Sequence, residues 1–289
     1  MARPAPAVER AVQILDFLAD HPTDAFSLSE LARRLEMNKA SAHATLNALV
    51  DAGYLLRHPT RKDYHLGPRL MMVGEAARNQ FPVVDFARDE LRRLSDDLAM
   101  ECVASTAVAD EMVIVDRAGP IRPIGVTVAV GYRFPLVPPM GTVFMAWSSP
   151  DQIDEWLRRV GPQVDEDELT RYRQALAAVR ERGFSAGLDA DTSRDLSEAL
   201  ARRDEAGRQD IGEMAHDEYQ LIELEGADEY RLNTLGAPVF DAEGAVALGV
   251  FVVGFRGAQT AEQVPDFADR LMKATDAITE SIHGLRPPA

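Results

Sequence analysis

Apolar residues recur at three- and four-residue spacing near the start of the chain: Val8, Ala11, Val12, Leu15, Leu18 and Ala19. That spacing matches the 3.6-residue period of an α-helix with one buried face. His21-Pro22 closes the helix, because the residue before proline is pushed out of the α conformation. Ser27 or Ser29 is placed to cap a second, short helix over 28–35, with Leu28, Leu31, Ala32 and Leu35 inward. After a break at Glu36-Met37-Asn38, a third helix is predicted over 39–52. It stops at Gly53, where glycine can take the left-handed backbone that ends helices. Tyr54–Arg57, a turn at His58–Asp63 and Tyr64–Leu66 then read as a hairpin with basic residues at its tip.

Gly67-Pro68 punctuates the end of this unit, and the pattern over 70–78 predicts a short helix leading to Phe81-Pro82. The expected division is therefore residues 1–68, a linker helix in 69–84, and a larger domain over 85–289. In the larger domain 85–99 reads as helix. Cys102–Ala109 and Met112–Arg117 read as strands joined at Asp110-Glu111, followed by a third strand over 124–130. Residues 141–182 are expected to be mostly helical, and 239–240 and 246–255 to be strands around the turn Asp241–Gly244. A last helix is predicted over 260–284. The fold class expected is α+β, with an antiparallel sheet in the second domain.

Three helices followed by a basic-tipped hairpin, within so short a stretch, form the winged helix-turn-helix arrangement. At about 100° per residue, turning Leu46 inward puts Ala42, Leu49 and Val50 on the same side of the third helix. The opposite side carries Ala40, Ser41, Ala44, Asn47, Ala48 and Asp51, with Asn38 and Lys39 at the helix start and His43 between the two faces. Small residues permit close approach to a major groove. Asn47 can pair with adenine, and the alanines can touch thymine methyl groups. Arg57, Arg61 and Lys62 on the hairpin suit phosphates, contacts that position without specifying. The plainer reading is a three-helix bundle that binds no nucleic acid.

The wording of particular segments resembles the IclR family of bacterial regulators. The segments are Val8-Glu-Arg-Ala-Val-Gln-Ile-Leu15, Ser29-Glu-Leu-Ala-Arg33, Lys39-Ala-Ser-Ala-His43, Ala52-Gly-Tyr-Leu55 and Tyr64-His-Leu-Gly67. Further along, Gly131-Tyr-Arg-Phe-Pro-Leu136 resembles the family's pocket segment, and Ala237-Pro-Val-Phe-Asp241 its closing hairpin. The resemblance implies a GAF-like effector domain, dimers or tetramers, and control of operator DNA by a small molecule, often a carboxylate. Carried over position by position, effector contacts fall on Met140, Gly141, Thr234, Phe251 and Val253. Thr142 beside them is a further candidate, since backbone N–H groups at a helix start can hold a carboxylate. The acidic pocket residue that the family places before its closing hairpin falls on Asp189 or Glu223, and both remain open. This sequence departs from the family pattern at Ala44, where an arginine is usual, and at Pro135-Leu-Val-Pro-Pro139, which lacks the usual histidine. The 185–224 link is also longer than usual.

Composition changes the picture in one respect. The chain's net charge is −16, which would repel phosphate. The charge is unevenly placed, however. Of 31 Lys and Arg and 47 Asp and Glu, residues 1–80 carry 10 and 9, leaving 21 and 38 for the rest. DNA contact is thus expected only from the near-neutral N-terminal part. The start has no apolar stretch behind its charge and no run is long enough to span a bilayer, so a cytoplasmic protein that does not engage membranes is expected. A lone cysteine, Cys102, excludes a disulfide within the chain and a cysteine-rich metal site. No metal and no cofactor is expected. An enzyme is the rival class, because Gly183-Phe-Ser185-Ala-Gly187 matches the G-x-S-x-G of α/β-hydrolases. That motif needs a strand before the serine and a helix after it, whereas a charged helix is predicted to precede Gly183. His216 and His283 lack the setting of a catalytic base, and His216-Asp217 lacks metal-ligand spacing.

Overall fold

The computed structural model describes residues 5–21, 23–79, 82–120, 130–160, 164–188, 219–220, 229–255 and 257–288. The chain divides into two compact units, Met1–Phe81 and Pro82–Ala289. The first contains α1 (Pro6–Asp20), β1 (Phe26–Ser27), α2 (Leu28–Arg34), α3 (Lys39–Asp51), β2 (Leu55–Arg57), β3 (Asp63–Leu66) and α4 (Arg69–Arg78).

Ser27 caps α2 in a reciprocal box with Glu30: each side chain meets the other's backbone N–H, at 3.4 and 2.8 Å. Asn38 caps α3, its Oδ1 accepting from Ala40 N at 2.9 Å. Ile14, Leu18, Phe26, Leu31, Leu46, Leu55 and Tyr64 form the core of this unit. The burial of α1 corrects the predicted face. Ile14 and Leu18 point inward, whereas Val8 and Val12 are exposed and Leu15 is half-buried. The helix is apolar on two sides, and spacing alone cannot say which side meets the core. Strand β1 was not foreseen. Its two residues pair with Tyr64 and Asp63 of β3, making a three-stranded sheet in the order β1-β3-β2. Two residues carry no period to read.

The second unit contains α5 (Pro82–Leu98), β4 (Glu101–Val108), β5 (Glu111–Ala118), β6 (Arg133–Pro135), α6 (Thr142–Met145), α7 (Pro150–Arg158), α8 (Glu166–Arg182) and β7 (Ser185–Leu188). The elements after it are β8 (Tyr219–Gln220), β9 (Glu229–Tyr230), β10 (Leu232–Phe240), β11 (Val246–Val253), β12 (Gln259–Thr260) and α9 (Gln263–Ser281). Seven strands make an antiparallel sheet in the order β6-β5-β4-β11-β10-β7-β8. The strand expected over 124–130 falls almost wholly outside the described residues, and Val130 sits in a turn.

Strand β10 runs over nine residues, where the sequence pattern had marked only Val239 and Phe240. Asn233, Gly236 and Pro238 hide the rest of it. Pro238 is tolerated because β7 begins at Ser185, opposite Gly236, so no strand lies beside Pro238 on that side to receive an N–H.

Residues alternate between the two faces of the sheet. Cys102 and Ala104 of β4, Leu235, Ala237 and Val239 of β10, and Leu248, Val250 and Val252 of β11 point to one face. They pack there against Ala87, Leu91 and Leu94 of α5 and Val264, Ala268, Leu271 and Ile278 of α9. Helices α6, α7 and α8 lie with the opposite face, where Met112, Phe144, Trp156, Leu176 and Val179 form a second core.

Candidate functional site

Helix α3 presents a small, weakly charged surface. Ala42 and Leu46 are fully buried, and Leu49 and Val50 are half-buried. Asn38, Lys39, Ala40, His43, Ala44, Ala48 and Asp51 are exposed, with Ser41 and Asn47 half-buried between the faces. His43, placed between the two faces by the spacing, is exposed and open to a DNA contact. Asn47 Nδ2 lies 3.4 Å from His43 Nε2, one helical turn away, so the two polar groups of this face steady each other.

The hairpin is held by its own side chains. His58 Nδ1 accepts from the N–H groups of Thr60 and Arg61 at 3.3 and 3.1 Å. Arg61 Nε donates to Asp63 Oδ2 at 2.8 Å, and His65 Nε2 approaches Asp63 Oδ1 at 3.4 Å. Burial opposes ionisation of Asp63, but the Arg61 bond and the charges of Arg61, His65 and His58 outweigh it and hold the carboxyl below its ordinary 3.8. Arg57 is exposed, with its guanidinium 5.6 Å from the ring centre of the buried Tyr64. Lys62 is exposed at a left-handed φ of 61°. Arg57 and Lys62 are thus less engaged than Arg61, whose cation already has an acidic partner.

In the second unit the sheet register gathers most of the effector candidates. Thr234 pairs with Val253, and Phe251 lies two residues from Val253 on the same face. Met140 and Phe251 pack with Val103, Ile114, Tyr132 and Phe134. Helix α6, begun by Gly141 and Thr142, lies against β10 and β11. Gly141 has φ 87°, and a Cβ there would meet Leu136 Cδ1 at 2.2 Å, so only glycine fits. Thr142 is buried, and the Met140 carbonyl accepts from Trp156 Nε1 at 3.1 Å. Asp189 and Glu223 lie outside the described residues.

Two glycines that the sequence reading passed over decide the shape of this face. A Cβ on Gly236 would sit 2.6 Å from the Phe251 ring, and one on Gly249 2.7 Å from it. The ring therefore leans across bare backbone on β10 and along its own strand. A glycine inside an otherwise apolar strand is the signal that could have revealed this close approach.

Residues 7–59 match the family model of the IclR helix-turn-helix domain. That stretch, α1 through the start of the hairpin, is similar to the DNA-binding domain of IclR-family regulators. It is 26% identical to the Pca regulon regulatory protein of Pseudomonas putida over 46% of each chain. Against the transcriptional regulator BhcR of Paracoccus denitrificans it is 33% identical over 35% of this chain and 34% of that one. The match thus spans less than half the length of either relative. The fold is shared at full length. An IclR homologue from Microbacterium hydrocarbonoxydans, complexed with 4-hydroxybenzoate, aligns over 96% of this chain and 99% of its own, with a TM-score of 0.63 at 18% identity. The chain thus has an N-terminal helix-turn-helix domain similar to that of IclR-family regulators, followed by an α+β domain that shares the fold of that homologue.

Around Ser185 the chain runs helix, glycine, strand, the reverse of a nucleophile elbow. Ser185 is buried, and its hydroxyl donates to Gly236 O at 3.4 Å. Burial, and secondarily the Glu101 carboxylate, push the Cys102 thiol up to about 12, leaving no thiolate at neutral pH. His283 sits in a turn after α9, and His216 lies outside the described residues.

Gly236→Ala should destabilise the second unit by about 1–3 kcal/mol through overpacking. In the Gly236→Ala/Phe251→Ala pair the two losses should sum to more than the double variant's, because the clash goes with the ring. Strictly additive values in urea titrations would show that the ring does not lie on Gly236. A second expectation concerns acid. A carboxyl whose folded pKa is depressed contributes stability present above its unfolded value, near 3.8, and lost as pH falls through the lower folded value. Asp63→Asn should therefore flatten the acid limb of stability against pH below about 4, measured on the full chain by circular dichroism. An unchanged limb would count against the Arg61–Asp63 pairing.

Proposed function

We propose that this protein is a transcriptional regulator of the IclR family, that it binds operator DNA through the exposed face of α3 and the hairpin, and that a small organic acid with an apolar or aromatic body modulates that binding from the second unit. The observation that carries the effector half is the sheet face lined by Val103, Ile114, Tyr132, Phe134, Met140, Phe251 and Val253, with Thr234 at its edge. Apolar walls with few polar groups are the usual design of small-molecule sites. Phe251 and Val253 offer no hydroxyl, so a compact two- or three-carbon oxoacid would leave its polar groups unpaired there, at about 1–3 kcal/mol each. A larger apolar body gains about 25 cal/mol per Å² buried. The 4-hydroxybenzoate held by the Microbacterium homologue is an acid of this kind. The role is binding and not catalysis, for Ser185 faces a carbonyl inside the sheet.

In the DNA half, Asn47, Ser41, His43 and the alanines at 40 and 44 meet base edges, while Asn38, Lys39, Arg57, Arg61 and Lys62 meet the backbone. A single winged helix contacts little DNA, so two copies acting on paired half-sites are expected. Val8 and Val12 of α1 and Met71, Met72 and Val73 of α4 are exposed apolar residues suited to self-association in a cytoplasmic homodimer or tetramer.

Gel-shift titration and footprinting on the chain's own upstream region test this reading. Lys62→Ala and Arg57→Ala should weaken binding to every sequence alike and flatten its salt dependence. Asn47→Ala should instead change the preferred base, at about 1–3 kcal/mol if the contact is bidentate. Arg61→Ala should cost less than Lys62→Ala, because Asp63 already neutralises Arg61. The footprint should be palindromic. A monomer in light scattering, with no shift of any upstream fragment, would sink the DNA reading and leave a winged-helix protein-interaction module.

A further inference from the structure

The effector face has a charged end. Val103 of β4 stands opposite Arg117 of β5, and Glu101 stands opposite Val253 of β11. Directly paired residues in an antiparallel ladder share a face, so Glu101, Val103 and Arg117 lie on the side of Phe251 and Val253. Arg117 Nη2 donates to Glu101 Oε1 at 2.7 Å, with the two side chains 19% and 5% exposed. Asp116, the neighbour of Arg117, points the other way to Arg88 of α5. The Arg117–Glu101 pair therefore belongs to the effector side and not to the helix side of the sheet.

Two polar atoms at this end are buried and make no hydrogen bond among the described residues: Arg117 Nε and Ser105 Oγ. Ser105 is 2% exposed and pairs with Gly249, which puts it on the same face. It lies two residues from Val103 and opposite Ile114 of β5, with a register shift between Ala104 and Ser105, so Ser105 and Arg117 are close along one face of the ladder. Both atoms can donate, and a donor left unmatched in an apolar interior is costly and rare. The start of α6 is a weaker anion receptor, since a helix of four residues carries little aligned dipole.

We propose that Arg117 and Ser105 anchor the carboxylate of the effector. The acid group meets the Nε edge of the guanidinium and the Ser105 hydroxyl. Glu101 holds the guanidinium through Nη2 and leaves Nε for the ligand, and the apolar body lies over Val103 and Ile114 toward Phe251. The proposal rests on the reading of this face as the effector site and names the part of it that selects an acid. Glu101 gives the guanidinium a counter-charge before the ligand arrives, which a lone arginine among Val103, Ile114 and Val253 would lack. A neutral ligand of the same shape gains less there, because charge-assisted bonds are roughly twice as strong as neutral ones.

Calorimetry and thermal shift on the full chain, with benzoate, 4-hydroxybenzoate and 4-hydroxybenzamide as probes, test the anchor. The two acids should bind and raise the melting temperature, and the amide should bind at least tenfold more weakly. In the Glu101→Gln/Arg117→Met variant, which removes both charges together, acid affinity should fall at least tenfold and the preference for acid over amide should vanish. Ser105→Ala should lower acid affinity several-fold with little change in the unliganded melting temperature. If the double variant does not fold, Ser105→Ala and Arg117→Lys carry the test, the latter keeping the charge but losing the Nε donor. Unchanged acid affinity in these variants would overturn the anchor and leave the effector reading standing. A wild-type protein that neither acid stabilises would overturn both.

Discussion

The second unit depends on one constraint, the twofold alternation of side chains across β5, β4, β11, β10 and β7 in a single register. Because successive residues point to opposite faces, Val250 and Val252 must serve the packing of α5 and α9, while Gly249, Phe251 and Val253 face the other core. Slipping β4 and β5 by one residue would exchange their faces, burying Glu101 and Arg117 under the helices and turning Cys102 and Ala104 toward the other core. On the helix-packed face Cys102 and Ala104 of β4, Leu235, Ala237 and Val239 of β10, and Leu248, Val250 and Val252 of β11 are apolar, while Asp116 of β5 is a polar position paired with Arg88 of α5, and that asymmetry holds the register. The chemistry of the opposite face is therefore a consequence of the packing of the first.

Within that face, a ring and two glycines set the geometry. Phe251 would stand upright from an ordinary strand. Gly236 and Gly249 let it lie down instead, with its ring atoms where two Cβ atoms would otherwise be. The ring packs over Gly236 and against the Val103 and Ile114 cluster, which continues along the face toward Arg117. Bulk on one side and hydrogen-bond donors on the other give the face a direction. An elongated molecule with one acidic end matches that direction better than a compact polar one.

The first unit works with smaller means. Its α3 carries a single basic residue, Lys39, and an exposed surface of alanines, one histidine and one amide. On the proposed DNA-binding reading, attraction to phosphate comes largely from the hairpin, where Arg61 is already committed to Asp63 and Arg57 lies over Tyr64. The second unit's acidic excess opposes non-specific binding to nucleic acid. Such a protein is expected to rely on shape fit and paired half-sites more than on charge.

By itself the sequence determined the helix-turn-helix and its hairpin, the helical stretch on either side of Ser149-Pro150, and the α+β class. Each of these is written in local signals: the Ser27 and Asn38 caps, Gly53 and Gly183 as helix ends, and the 3.6-residue spacing around Leu46. The helix before Gly183 alone argued Ser185 out of a nucleophile's role. Tertiary structure decided what depends on partners distant in the chain. Which apolar side of α1 is buried, the full length of β10 behind Gly236 and Pro238, and the pairing of Phe26 with Tyr64 all follow from contacts that no local period encodes. The same holds for Glu101, Ser105 and Arg117. Each reads in sequence as an ordinary polar residue on a strand, and only the register of β4 between β5 and β11 brings them to one face beside Phe251.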